Sequence, residues 1–147
     1  MTTQSQFYVT LFRNAWRDIY EQDTHADFTV KLAQPVDLVS TSNWEEWLCE
    51  ISCSSPPPPM GEETTARIYC NLISPQFLGD STVRSMRSFD FPSSSSCLHE
   101  FRNMYYVPVE LRRFQDIRIK FLTTEGLDIS FEYSTTPTNV LLHFRKN

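Results

Sequence analysis

Apolar and polar residues alternate along much of this chain with a period of two. That is the spacing of a half-buried strand, whose successive side chains point to opposite faces. The pattern is clearest towards the end of the sequence. Ile117, Ile119 and Phe121 alternate with Arg118 and Lys120, and Leu127, Ile129 and Phe131 with Asp128, Ser130 and Glu132. Val140, Leu142 and Phe144 repeat it, while Leu141 makes part of that strand's second face apolar. Thr-Thr-Glu-Gly at 123–126 supplies a turn in which Gly126 can take positive φ, so 117–132 reads as a β-hairpin.

Earlier segments follow the same rule. Phe7–Phe12 predicts a first strand, and 13–27 a polar connection with room for one helical turn. Asp27–Leu32 predicts a strand with Phe28, Val30 and Leu32 inward, ended by Gln34-Pro35-Val36-Asp37-Leu38. Trp44–Cys53 predicts another, with Trp47, Cys49, Ile51 and Cys53 on one face and Glu46, Leu48, Glu50 and Ser52 on the other. Four prolines at 56–59 favour an extended exposed loop reaching about Thr65. Strands are expected at Arg67–Ile73, at Val83–Phe91 as a short edge, and at His99–Val107 with Phe101, Tyr105 and Val107 in phase; Pro92–Ser96 is a second loop.

Eight or nine antiparallel strands without a convincing helix predict an all-β protein. A single jelly-roll β-sandwich fits first and an immunoglobulin-like sandwich second. The expected organisation is a flexible N-terminal arm at 1–6 and one domain at 7–147.

Composition narrows the function classes. A chain of 147 residues can bury about two-thirds of its unfolded surface as one domain, and 14% aromatic residues with three glycines suit β-structure. The net charge of −5 argues against general or specific nucleic-acid binding. Charge is uneven: residues 1–100 hold 6 basic and 13 acidic side chains (−7), and 101–147 hold 7 basic and 5 acidic (+2). No apolar run approaches the roughly 18 residues of a membrane span. The first residues lack a basic and apolar leader, so a non-secreted protein with four reduced thiols is expected.

No catalytic, metal or cofactor chemistry emerges. Cys49 and Cys53 would lie about 13 Å apart along a strand, too far for joint zinc ligation, and Cys97-Leu98-His99 lacks a second ligand pair. His25, His99 and His143 are framed by no nucleophile motif, and Gly61, Gly79 and Gly126 stand alone. His143 reads as a surface or rim histidine. Glu45-Glu46 and Glu62-Glu63 are sequence neighbours that point apart in a strand or lie solvated in a loop. Arg112-Arg113 beside Glu110 and Asp116 reads as a charged connection before it reads as a phosphate site. Tyr105-Tyr106 with Phe114 could stack bases, but alternation places at least one tyrosine in the core. A non-enzyme is expected.

Five stretches carry a resemblance: Phe-Tyr-Val-Thr-Leu-Phe at 7–12, Phe-Thr-Val-Lys-Leu-Ala-Gln-Pro-Val-Asp-Leu at 28–38, and Trp-Glu with Cys-Glu-Ile-Ser-Cys at 44–53, then 107–119 and 134–145. In order and over nearly the full length, the chain resembles the penton (minor capsid) proteins of Polinton (Maverick) elements and adintoviruses. The resemblance implies a single jelly roll forming a homopentamer at each icosahedral vertex, among double-jelly-roll major capsid proteins. It also implies a place in the virion, with assembly in the nucleus or cytoplasm of a host cell. The chain departs from the family pattern at Glu46-Trp47 and around Ser130, Phe131 and Tyr133, substitutions expected of a host-integrated copy.

A pentamer needs a heterologous contact that closes after five copies. The candidate interface is the charged and aromatic segment carrying Arg102, Tyr105, Tyr106, Arg112, Arg113 and Phe114, set against acidic faces of the earlier strands. The alternative reading is a monomeric β-sandwich binding module that recognises a peptide or glycan through its loops.

Overall fold

Alternation at 113–123 and 139–146 becomes two inner strands, one in each of two facing sheets. The computed structural model describes residues 5–12, 27–38, 43–54, 65–90, 96–123 and 138–147. The first sheet runs β1 (Gln6–Phe12), β11 (Asn139–Lys146), β3 (Trp44–Ser54) and β8 (Ser96–Glu100), with β9 (Val107–Pro108) also paired to β3. The second runs β2 (Asp27–Asp37), β10 (Arg113–Thr123), β4 (Thr65–Cys70) and β7 (Ser85–Asp90). A separate hairpin, β5 (Gln76–Leu78) and β6 (Ser81–Val83), turns at Gly79, whose φ of 61° suits glycine.

All these pairings are antiparallel. The chain crosses between sheets from β1 to β2, β3 and β4, stays for β7, and crosses again for β8, β10 and β11. This is the strand order of a jelly roll, the expected class. Nine strands make the two sheets, and the hairpin brings the described total to eleven.

Inward residues of both sheets fill one core. Phe28, Ile117, Ile119, Phe121, Ile68 and Cys70 from the second sheet meet Leu48, Ile51, Val140, Leu142 and Phe144 from the first. Phe144 lies between two rings, Phe7 at 4.8 Å and Phe114 at 5.8 Å between centroids. At the β7 edge Arg87 closes the gap between sheets: its guanidinium lies 3.9 Å over Phe101 and donates to the Asn103 carbonyl at 3.1 Å.

Three expectations need correction. First, β2 does not end at Gln34-Pro35 but continues to Asp37. Its register against β10 jumps from Val36↔Phe114 to Lys31↔Asp116, so Leu32–Pro35 bow out opposite Gln115. Gln115 Nε2 fills the break by donating to the Leu32 carbonyl at 2.9 Å. Because β2 is an edge strand, a proline there removes no ladder bond from a central position.

Second, the faces of β3 are not uniform. Leu142 pairs with Leu48 and Leu141 with Glu50, leaving Cys49 as an extra residue in a β-bulge. Trp44, Glu46 and Leu48 therefore face inward before the bulge and Ile51 after it. Glu45 and Glu46 point apart, as expected of neighbours on a strand, with Glu46 the buried one, and Trp47 belongs to the outer face.

Third, 99–107 is not one strand. β8 ends at Glu100, an irregular connection follows, and β9 starts at Val107. Tyr105 is exposed and Tyr106 half-buried, so neither tyrosine lies in the core. Ser5 and Gln6, expected in the arm, meet the last strand: Gln6 pairs with Arg145, and the Lys146 amide donates to Ser5 at 2.9 Å. The expected helical turn, the proline loop at 56–59, the loop at 92–96 except Ser96, which opens β8, and the hairpin turn and return strand at 124–132 lie outside the described residues.

Candidate subunit interface

The six residues expected at an interface divide between four places. Arg102 and Tyr105 lie in the connection from β8 to β9, exposed, with Tyr105 at 54% and its neighbour Met104 at 67%. Tyr106 turns from this connection onto the outer face of the first sheet. Arg112 and Arg113 lead into β10, where exposed Arg113 stands opposite Asp37 on the second sheet. Phe114 is buried at the core and stacks on Phe144, so it leaves the surface set. Its position is one step out of phase with Arg113, as alternation requires.

Tyr106 joins a cluster that single residues of the sequence did not reveal. Tyr8, His143 and Trp47 occupy one outward row across β1, β11 and β3. Tyr8, 62% exposed, stacks on His143 with centroids 4.4 Å apart. Tyr106 and Trp47 flank the same imidazole, at 5.8 and 6.5 Å. His143 is therefore on the outer face, as expected, yet covered by its neighbours and buried.

Both ring nitrogens are used. Gln6 Oε1, 3.1 Å from Nε2, can only accept, which places the imidazole proton on Nε2. Nδ1 then accepts from the Tyr106 hydroxyl at 2.8 Å. Burial, and behind it the charge of Arg145, hold the His143 pKa below its ordinary value. Arg145 lies 3.4 Å over the Tyr106 ring and pairs with Glu45 at 3.0 Å. Knowing that β11 neighbours both β1 and β3 would have found this cluster, since Tyr8, Trp47 and His143 each occupy outward positions.

The outer face of the second sheet is built differently. Arg118 makes a two-point ion pair with Asp27, at 2.9 and 2.8 Å, and Lys31, Arg67 and Lys120 lie on the same outward rows. Arg84 pairs with Glu110 beside it. Cys49 is half-exposed and Cys70 buried, both free thiols. Burial, then neighbouring carboxylates, push both thiols above their ordinary pKa, away from the thiolate a nucleophile needs. Among the described residues no three His, Cys, Asp or Glu side chains gather as a metal site, and no helix is long and apolar enough to cross a membrane.

No protein-family model matches the chain, and no curated protein matches it. The fold is similar to the crystal structure of mavirus penton protein, with a TM-score of 0.65 over 97% of this chain and 99% of that one. Sequence identity across that superposition is 8%, so what the two chains share is the jelly roll over its whole length.

Proposed function

We propose that this chain is a structural capsid protein, the subunit of a pentameric vertex in an icosahedral, virus-like shell. The observation that carries this reading is the superposition on a penton protein over 97% of this chain and 99% of that one. Two faces of unlike chemistry, one aromatic and acidic and one basic, supply the unlike patches that a closed ring needs. The finer reading is a penton of the Polinton and adintovirus kind, whose partners are its own copies and a double-jelly-roll major capsid protein. In that reading Arg102, Tyr105, Tyr106, Arg112 and Arg113 contribute to the contacts between copies, and the protein resides in the virion.

Electron micrographs of negatively stained purified protein test this. Class averages with five-fold symmetry support a vertex subunit. Particles of other symmetry, or single-chain particles alone, count against it.

A further inference from the structure

The outer face of the first sheet contains a like-charged pair that the described residues leave uncompensated. Glu50 on β3 and Glu100 on β8 stand directly opposite one another, and like charges in that position destabilise a sheet. Among the described residues no cation pairs with either. With Glu45 and Arg145 included, the outward positions of this sheet carry three carboxylates and one cation, a net −2.

Leaving aside edge strand β7, where Asp90 stands opposite Thr65, the outward rows of β2, β10 and β4 carry the opposite balance. Lys31, Arg67, Arg113, Arg118 and Lys120 stand there with Asp27, Asp37 and Asp116, five cations against three carboxylates, a net +2. Lys31 and Arg113 are exposed. Each sheet's inner face is consumed by the core, so these two outer faces are the broad surfaces of the sandwich.

We propose that the two outer faces bind one another between copies. The acidic, aromatic face of β1, β11, β3 and β8 receives the basic face of β2, β10 and β4 of the next chain. This deepens the vertex reading and rests on it. The occupant is a second copy because one chain carries both complementary surfaces, and a head-to-tail contact between unlike faces is the kind that closes into a ring. Basic side chains from the neighbour would relieve the Glu50–Glu100 repulsion. Exposed Tyr8 offers a ring face to an arriving guanidinium, as Tyr106 already does to Arg145 within the chain.

Charge reversal with light scattering at low salt tests the pairing. One variant carries Glu50→Lys and Glu100→Lys, a second carries Lys31→Glu and Arg113→Glu, and a third carries all four. Thermal unfolding of each confirms a folded chain. Each two-site variant is expected to self-associate about a hundredfold more weakly than the wild type, since juxtaposed like charges oppose binding. The four-site variant, with both signs exchanged, is expected to recover most of the loss. Wild-type oligomers that persist unchanged in both two-site variants overturn the pairing and leave the vertex reading standing. A wild type that never associates overturns both. Two-site losses without recovery in the folded four-site variant also overturn it, because a general charge effect would act that way.

Discussion

Glu46 of β3 and Cys70 of β4 meet across the core, the thiol donating to the carboxyl oxygen at 3.5 Å. Glu46 is completely buried, and loss of water pushes its pKa up to about 8, with the Cys70 hydrogen bond opposing the rise only in part. The sandwich therefore holds a neutral carboxylic acid at neutral pH. In the unfolded chain the same group ionises at its ordinary value near 4.5.

That difference fixes a pH dependence. Between the two values the native state holds a proton that the unfolded state has released, so stability falls as pH rises through this window. The loss, complete once pH passes about 8, is on the order of 5 kcal/mol. Urea unfolding between pH 6.5 and 8 should show the decline in the wild type and not in Glu46→Gln. Parallel curves for the two proteins would remove Glu46 as the cause. Above the ordinary thiol range Cys70 adds to the loss, because its own pKa is raised by burial.

His143 acts on the acid side with the opposite sign. Its folded pKa lies below the ordinary 6.5, so on acidification the unfolded chain takes up a proton first. The His143 contribution is unchanged above pH 6.5 and is lost as pH drops from there towards the folded value. With Glu46→Gln as the background, which removes the opposing proton, His143→Gln should be less sensitive than its parent between pH 7 and 5. Tyr106→Phe, which deletes the donor to Nδ1, should cost about 1 kcal/mol at pH 7 by urea unfolding. A Tyr106→Phe variant as stable as wild type would show that this bond contributes nothing.

Two phenylalanines should behave as opposites. Phe144 is fully buried between Phe7 and Phe114, and replacing it by alanine should cost about 3–5 kcal/mol in urea unfolding. Phe77, 90% exposed on the β5–β6 hairpin, should tolerate serine within about 0.5 kcal/mol. A large loss from Phe77→Ser would mean that this ring packs against the chain after all.

The bulge at Cys49 sets which half of β3 faces the core. Deleting Cys49 forces uninterrupted alternation, so Glu46 and Leu48 or Ile51 must leave the core. The deletion should abolish cooperative thermal unfolding, whereas Cys49→Ser keeps the residue count and should remain folded. A deletion variant that melts like the wild type would contradict the role given to the bulge.

These residues also mark how far the sequence could be read. β10 and β11 were legible because Ile117, Ile119, Phe121, Val140, Leu142 and Phe144 keep one phase throughout. β3 was legible as a strand but not in its facing, since nothing local announces a bulge and one extra residue inverts all that follows. Pro35 looked like a stop because its tolerance depends on β2 being an edge, a fact of topology. The connection at 101–106 kept enough alternation to resemble a strand, although it lies outside the strands and meets β3 through the Phe101 amide, which donates to the Cys49 carbonyl. The burial of Glu46 was not legible for a related reason: it is imposed by Trp44 and Leu48 on the same face, whereas charge alone argues for solvent. Of the candidate interface, the chemistry of residues 102–113 was visible. Its division between two opposite faces required the jelly-roll path.

Multi-angle light scattering of the purified protein across a range of concentrations tests self-assembly into a vertex most directly. A species of five times the 17.2 kDa chain mass is the expected result. A 17.2 kDa monomer at every concentration would contradict it.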